Sequence, residues 1–287
     1  MISDPLVFPT ADTLSDVDYE FLRQIIYELS HINLGSDKRA LVSARVGKRL
    51  RTLRMTSYHA YCQWLKTPDG EAELSNLVDA ISTNHTLFFR EESHFDFLRN
   101  TWLPQWLAKH GRAGEKLRVW SAASSSGEEP YTLAIVLAEF LQGNDRWEIE
   151  ATDISTRILA RAEEAIYDAD KVAPIRPELL RRYFQRGIGQ WSGHYRVKES
   201  LRAHVTFRHL NLLQPHYPFT TSFHLIFCRN VMIYFDRPTQ ETLINKLSNQ
   251  LKPGGHLIVG HSESLGNIRH TLRQLQPTIY QKPGSPK

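Results

Sequence analysis

One stretch of the sequence, LRVWSAASSSGEEPYTLAIVLAEF at residues 117–140, restricts the fold more than any other. It reads as a short strand, a turn of small residues and a helix, an order typical of α/β proteins that bind a ligand above the turn. The turn has a single glycine, Gly127, where a dinucleotide site usually has three. Glu128 and Glu129 would also repel a phosphate. The pattern therefore predicts an α/β fold whose ligand has a cationic or hydroxyl-bearing part.

From Lys116 onward, strand-like and helical segments alternate. The strand-like runs are LRVWSA, WEIEATDI, HVTFRHLNLL, FHLIFC, HLIVGHSE and a closing PTIYQK. Helical patterns such as STRILARAEEAIY and RPTQETLINKLSNQLK lie between them. This alternation predicts a Rossmann-like, parallel, doubly wound sheet. Turn glycines and short β-like runs at about 183–207 predict a small antiparallel β-subdomain inserted into it.

The first part of the chain shows helical spacing without strand-like alternation. Four amphipathic patterns fill residues 16–80, which predicts a small all-α domain. We expect three segments: a helical domain at 1–80, a linker and helix at 81–115, and the sheet domain at 116–287.

The composition indicates the cellular compartment in which the protein is expected to act. No apolar run reaches the roughly 18 residues of a membrane span, and residues 1–21 lack the basic and apolar regions of a signal peptide. The two cysteines, Cys62 and Cys228, have no metal-type spacing and are predicted to be buried and reduced. We therefore expect a cytoplasmic protein without membrane insertion.

Ligands of open α/β sheets lie beyond the carboxyl ends of the strands, so the residues found there are candidates. Asp153 ends the second strand and either accepts hydrogen bonds from ribose hydroxyls or caps the next helix, a task that Ser155 could also perform. Asn211 could address an adenine edge, and Arg229 and Asn230 follow the fourth strand. Adenosine recognition without a phosphate clamp indicates S-adenosylmethionine.

Histidines give no sign of a metal site in the sequence. His85, His94, His209 and His261 show no ligand-type spacing, so no metal is expected.

Four motifs, STNHTLFFREESHF, VWSAASSSGEEPYTLA, FCRNVMIYFD and LKPGGHLIVGHSESL, resemble those of the CheR family of chemotaxis receptor methyltransferases. The resemblance covers nearly the whole chain and implies methyl transfer from S-adenosylmethionine to glutamate side chains of chemoreceptors. It implies a cofactor site made of Asn84, Thr86, Arg90, Glu129, Asp153, Asn211, Leu212, Cys228 and Arg229. It also places Arg90 and Tyr234 near the reacting groups as catalytic residues.

Each catalytic candidate has a purely structural alternative. Arg90 could form a surface ion pair with Glu91, Glu92 or Asp96, and Tyr234 could be a core tyrosine.

A second charged feature indicates a macromolecular partner. Residues 36–54 contain seven basic residues against one acid, Asp37. The resemblance implies that this helix contacts the glutamate-rich helices of receptors, through Lys38, Arg45, Lys48, Arg49, Arg51 and Arg54. A solvated helix is the alternative, and nucleic acid is disfavoured because no aromatic stacking set accompanies these residues. In some family members the β-subdomain binds a receptor's carboxyl-terminal peptide as an added strand.

Two other functions remain open at this point. One is methylation of a small molecule or nucleic acid, although NVMIYF differs from the Asn-Pro-Pro-Tyr type of amine-methylating site. The other is a non-catalytic S-adenosylmethionine sensor that docks on receptors.

Overall fold

A computed structural model describes residues 12–110, 114–143 and 146–284. The chain divides into two compact units. The helical unit extends to Thr83 and includes Tyr234–Asp236, and the sheet unit comprises Asn84–Ile233 and the chain from Arg237 onward. Within the described ranges, no helix is long and apolar enough to cross a membrane. The signal-peptide prediction concerns in part residues 1–11, which lie outside the described residues.

The described part of the helical unit contains four α-helices. They are α1 (Asp16–Ser30), α2 (Arg39–Leu53), α3 (Tyr58–Trp64) and α4 (Glu71–Ile81). The predicted apolar face of α2 is confirmed, since Val42, Val46 and Leu50 are fully buried. Leu53 packs against this core while partly exposed.

The sheet unit contains a seven-stranded sheet. Its strands are β1 (Leu117–Ala122), β2 (Trp147–Asp153), β6 (Val205–His209), β7 (Phe223–Cys228), β8 (Leu251–Val259), β9 (Arg273–Gln276) and β10 (Ile279–Gln281). The order is β6-β2-β1-β7-β8-β10-β9. The five strands from β6 to β8 are parallel, which confirms the predicted doubly wound core. The closing strand β10 is antiparallel to both neighbours, and β9 was not predicted.

Helices and one π turn surround these strands. They are α5 (Ser93–Phe97), the π turn Leu98–Trp102, α6 (Leu103–His110), α7 (Glu128–Leu141), α8 (Thr156–Glu164), α9 (Ala169–Val172), α10 (Pro177–Tyr183), α11 (Glu199–Arg202) and α12 (Arg237–Gln250). The strand order reverses between β1 and β7, and ligands of such sheets bind at that switch point.

The inserted β-subdomain is present but begins earlier than predicted. Three antiparallel strands, β3 (Ile166–Asp168), β4 (Phe184–Arg186) and β5 (His194–Val197), pair in the order β3-β5-β4. Residues 166 and 167 were predicted to continue the preceding helix. Instead α8 ends at Glu164, because the next residue, Ala165, adopts a left-handed conformation (φ 56°) that stops the helix just before β3.

Candidate active site

The loop after β1 has an unusual backbone. Ala123, Ser125 and Gly127 all adopt left-handed conformations, with φ of 71°, 49° and 94°. A Cβ on Gly127 would lie 2.7 Å from the Tyr167 hydroxyl oxygen, so only glycine fits there. Non-glycine residues in this conformation concentrate at ligand-binding loops.

Asp153 connects this loop to the start of α8. One carboxylate oxygen accepts from Ser125 N (2.8 Å) and the other from Ser155 N (3.0 Å). The N-cap of α8 is Ser155, whose hydroxyl accepts from Ile158 N at 3.2 Å. Asp153 thus joins the loop after β1 to the N-terminus of α8, and its contact with ribose hydroxyls stays a prediction.

The centre of the site is the Arg229 guanidinium, whose side chain is only 1% exposed. It donates to Glu129 Oε2 at 3.0 Å and to Glu91 Oε2 at 2.9 Å, and also to the carbonyl oxygen of Arg90. Glu129 Oε1 accepts from the Ser121 hydroxyl at 2.7 Å. One cation thus holds two carboxylates and the backbone of the Arg90 loop.

The two acids respond differently to this cation. Burial alone would raise the pKa of Glu91, but Arg229, with help from Asn230 and the His261 N–H, lowers it to about 2. Burial raises the pKa of Glu129 despite the opposing effect of Arg229 and Ser121.

The loop after β7 is held by a buried carboxylate. Glu263 accepts from the backbone N–H groups of Asn230 (2.8 Å), Met232 (2.8 Å) and Gly260 (2.7 Å). Asn230 itself is left-handed (φ 57°), and its side chain donates to Glu91 Oε1 at 3.2 Å. Glu263 therefore fixes the segment that carries Arg229 and Asn230.

Glu128 does not face a ligand as the sequence suggested. It is fully buried, accepts from the Ser126 hydroxyl at 2.6 Å and lies 3.3 Å from Lys171 Nζ. Glu128 therefore pairs with Lys171, whereas the neighbouring Glu129 pairs with Arg229.

Arg90 is half-buried, and its guanidinium donates to the carbonyl oxygen of His85 at 2.9 Å. The acids that were its alternative partners are engaged elsewhere: Glu91 pairs with Arg229, while Glu92 and Asp96 pair with Arg99. The alternative, in which Arg90 forms a surface ion pair with one of these three acids, is therefore not supported.

Other predicted cofactor residues contribute backbone or packing groups. The carbonyl of Asn84 accepts from the Ser125 hydroxyl (3.1 Å), and that of Thr86 from Lys171 Nζ (3.2 Å). Asn211 Oδ1 accepts from Leu213 N at 2.9 Å, which orders the turn after β6.

Cys228, the last residue of β7, and Leu212, in the turn after β6, are both buried. Burial raises the pKa of the Cys228 thiol, so this residue packs as a neutral group. Tyr234 belongs to the helical unit, where its carbonyl accepts from Asn33 N at 2.8 Å.

The sequence did not reveal four residues of the site, namely Ser121, Glu263 and Glu91 around Arg229 and Lys171 beside Glu128. Glu91 and Arg229 lie 138 positions apart, and no spacing rule joins them. The only signal was their shared presence in the quoted motifs.

The six predicted receptor-contact residues fall into two groups. Arg49 forms a bidentate pair with the buried Glu73 of α4 (2.7 and 2.6 Å), and Arg45 donates to the Ile81 and Ser82 carbonyls at the end of α4. Both contacts therefore stabilise the helical unit, and the predicted receptor contact of these two residues stays a prediction. Lys38 is exposed but pairs with Asp37 at 2.8 Å. Three other basic residues are exposed, namely Lys48, Arg51 and Arg54.

Comparison with known proteins identifies the family. Residues 84–281 match the family described as "CheR methyltransferase, SAM binding domain", and residues 17–82 match "CheR methyltransferase, all-alpha domain". The chain belongs to the CheR methyltransferase family. The chemotaxis protein methyltransferase of Salmonella typhimurium is 39% identical over 93% of this chain and 90% of its own. Chemotaxis protein methyltransferase 2 of Pseudomonas aeruginosa is 40% identical over 92% of each chain.

The protein is accordingly an S-adenosylmethionine-dependent methyltransferase, and the described residues fit that cofactor. The carboxylate of Asp153, at the end of β2, contacts the Ala123–Gly127 loop through Ser125 N. The Ser124 hydroxyl is buried without a hydrogen-bond partner among the described residues, as expected of a group that meets a ligand.

Proposed function

We propose that this CheR-family enzyme transfers a methyl group from S-adenosylmethionine to glutamate side chains of chemoreceptors, giving γ-glutamyl methyl esters. The observation that most supports this proposal is that the chain is 39% identical, over 93% of its length, to a relative named as a chemotaxis protein methyltransferase. The same relationship disfavours a non-catalytic sensor, because the relatives are named as enzymes.

The chemistry makes modest demands on the protein. S-adenosylmethionine supplies a methyl group already activated on a sulfonium. A glutamate carboxylate, with a usual pKa of about 4.3, is ionised at neutral pH and needs no general base. The carboxylate oxygen forms a bond to the methyl carbon as the carbon–sulfur bond breaks and its electron pair goes to sulfur. Alignment of the two groups can lower the barrier by about 7–11 kcal/mol in favourable cases.

Arg90 is the residue that we propose for orienting the reacting groups. Its loop is fixed because Arg229 holds the Arg90 carbonyl, while in the described part of the chain its guanidinium donates only to a backbone oxygen of His85. A full ion pair with the attacking oxygen would reduce its nucleophilicity, so an orienting role is favoured. We propose that Tyr234 holds the methyl acceptor, a role that rests on the family motif.

A labelling experiment tests the function. The purified protein is incubated with methyl-labelled S-adenosylmethionine and cytoplasmic fragments of chemoreceptors, and the product is treated with mild base. We expect label on the receptor that base releases as methanol. Base-stable label would mean N-methylation, and cofactor binding without label would favour the sensor.

The same assay tests Arg90. Arg90→Ala should lower turnover at least about 100-fold, as expected when a positioning contact is lost. Its thermal unfolding should match that of the wild type, because among the described residues the guanidinium makes a single hydrogen bond, to a backbone oxygen. Near-normal turnover would refute the assignment.

We propose that the exposed basic residues of α2 and its end contact the acidic receptor helices. Lys48, Arg51 and Arg54 are exposed, whereas Arg45 and Arg49 are bound to α4. Complementary charge accelerates encounter and sets register more than it adds affinity.

A double reversal, Lys48→Glu with Arg51→Glu, should raise the KM for receptor about tenfold at low salt and leave kcat unchanged. Lys109→Glu with Arg161→Glu is the matched control, since both residues are exposed and belong to the sheet unit. Equal effects of the two double variants would show that only net charge matters.

We also propose that the β-subdomain binds a receptor's carboxyl-terminal peptide and that the enzyme acts in the cytoplasm. Ile188 and Trp191, between β4 and β5, are 84% and 51% exposed, and β3 and β4 are the sheet edges. Titration of Trp191 fluorescence with such a peptide tests this docking, and an unchanged signal would argue against it.

A further inference from the structure

Three residues that can act as metal ligands meet beside the Arg229 network, although their spacing in the sequence did not indicate a metal site. Glu91 and His94 lie around the start of α5, and His261 follows β8. One ligand atom from each lies within 4.8 Å of the other two. The His94 and His261 rings are 4.8 Å apart between centroids and inclined at 74°.

Hydrogen bonding fixes the tautomer of His94. Its Nε2 lies 2.7 Å from the Thr278 hydroxyl oxygen. The single hydroxyl hydrogen of Thr278 is donated to the Pro277 carbonyl at 2.6 Å, so Nε2 must be the donor to Thr278. A neutral imidazole has one N–H, and His94 Nδ1 therefore carries a lone pair.

That lone pair faces a carboxylate. His94 is 2% exposed, and its Nδ1 is buried without a hydrogen-bond partner in the described part of the chain. It lies 3.6 Å from Glu91 Oε2. Two lone pairs pointed at each other in a buried site repel, and a cation between them would remove the repulsion.

The spacing suits a small transition-metal ion. With bonds of about 2.0–2.1 Å and tetrahedral angles, ligand atoms around zinc lie roughly 3.3 Å apart. The Glu91–His94 separation of 3.6 Å is close to this value. His261 is exposed and able to adjust, and Ser93 Oγ lies 3.1 Å from its Nε2 as a possible outer partner.

We propose that Glu91, His94 and His261 form a binding site for a divalent transition-metal ion of the zinc type. Imidazole and carboxylate ligands match this class of ion, and the Thr278 bond to His94 is the outer-shell contact typical of metal-bound histidines. Arg229 is the cation that pairs with Glu91 in this structure. It retains Glu129 and the Arg90 carbonyl when Glu91 turns to the metal.

Metal binding should be linked to cofactor binding, a consequence that rests on the proposed cofactor role of Arg90 and Arg229. Glu91 is shared between the metal site and Arg229, so occupancy of the metal site changes the anchoring of the Arg90 loop. Linkage is reciprocal, and the cofactor must change metal affinity by the same factor.

Cobalt(II) is the probe for the test, because its visible absorption reports its ligands. The full-length protein, stripped with a chelator, is titrated with Co²⁺ and followed by absorption and calorimetry, without methyl acceptor. We expect saturable one-to-one binding that His261→Ala weakens about tenfold or more. His216→Ala, which removes another exposed histidine, should bind Co²⁺ as the wild type does.

No saturable binding by the wild type, or equal affinity of the wild type and His261→Ala, would overturn the metal site. Because His261 is exposed, the variant should unfold at the wild-type temperature, which separates ligand loss from misfolding. The metal readout does not involve methyl transfer, so its failure and that of the proposed function are distinguishable. A second titration with S-adenosylhomocysteine, with and without Co²⁺, tests the linkage, and an unchanged cofactor affinity would refute it.

Discussion

Strand β7 has a charged cluster at each end, and the two clusters differ in construction. At its start, Glu115 Oε1 accepts from His224 Nε2 at 2.9 Å and pairs with Lys252. His224 Nδ1 accepts from the backbone N–H of Arg118 at 3.0 Å. At its end, Arg229 is shared between Glu91 and Glu129.

Backbone conformation distinguishes the two clusters. Glu91 and Asn230, at the end of β7, are left-handed with φ of 57°. Within the described residues, Glu115, Arg118 and His224 at its start are not among the left-handed residues. Strained backbone persists only where the surroundings impose it, and it concentrates at ligand-binding sites. The first cluster therefore stabilises the fold, and the second holds loops in position for ligands.

Loss of Arg229 should have the largest effect. Arg229→Leu leaves Glu91 and Glu129 without their common cation, and breaking such a buried pair costs about 3–5 kcal/mol. It also frees the Arg90 loop. We expect a lower free energy of unfolding in urea and at least a 100-fold loss of S-adenosylhomocysteine affinity by calorimetry.

Arg208→Gln is the control for this variant. Arg208 also pairs with an acid, Glu150, but its side chain is 45% exposed, and exposed pairs contribute about 0–1 kcal/mol. If Arg229→Leu lost no more stability or affinity than Arg208→Gln, the network at the end of β7 would have no special role.

At the start of β7, His224→Asn should change stability and its pH dependence without changing catalysis. Burial is the main cause that lowers the pKa of His224, from 6.5 to about 4, and Lys252 adds to it. The folded-state pKa is below the unfolded one, so this contribution is full above pH 6.5 and is lost as the pH falls toward 4. The shift corresponds to about 3 kcal/mol.

Asparagine retains an acceptor near the position of Nδ1 and does not titrate. Urea unfolding at pH 7 and pH 4.5 should therefore show a smaller loss of stability for the variant than for the wild type. Cofactor affinity at pH 7 should be unchanged. A variant with the wild-type pH slope, or with weakened cofactor binding, would contradict the division of roles between the two ends of β7.

The features of the fold that depend on local sequence pattern were predicted correctly. The five parallel strands, the position of Asp153 at the end of β2 and the buried face of α2 all follow from periodicity. The residues at which helices and strands end do not follow from periodicity, because a single left-handed residue, such as Ala165 after α8, decides where a helix stops.

Partners distant in sequence were also invisible. Arg45 and Arg49 looked like free basic residues because nothing local indicates that Glu73 is buried beside Arg49. Likewise, the separate positions of His94 and His261 in the chain conceal their contact across the fold. Residue types at strand ends are thus predictable, whereas charge pairing depends on tertiary structure.

The smallest expected effect sharpens the comparison within the Arg229 network. Ser121→Ala removes the hydroxyl that donates to Glu129 Oε1, while Arg229 still holds Oε2. Loss of one hydrogen bond to a charged group costs about 1.5–3 kcal/mol at most, and residual contacts should reduce this. We expect S-adenosylhomocysteine affinity to fall between threefold and tenfold, roughly 1 kcal/mol, with Thr206→Ala on β6 as an exposed control. A loss as large as that of Arg229→Leu would mean that the hydroxyl, rather than the guanidinium, positions Glu129. No loss would mean that Arg229 alone is sufficient to hold this carboxylate, and that the end of β7, like its start, depends on one cation and its acids.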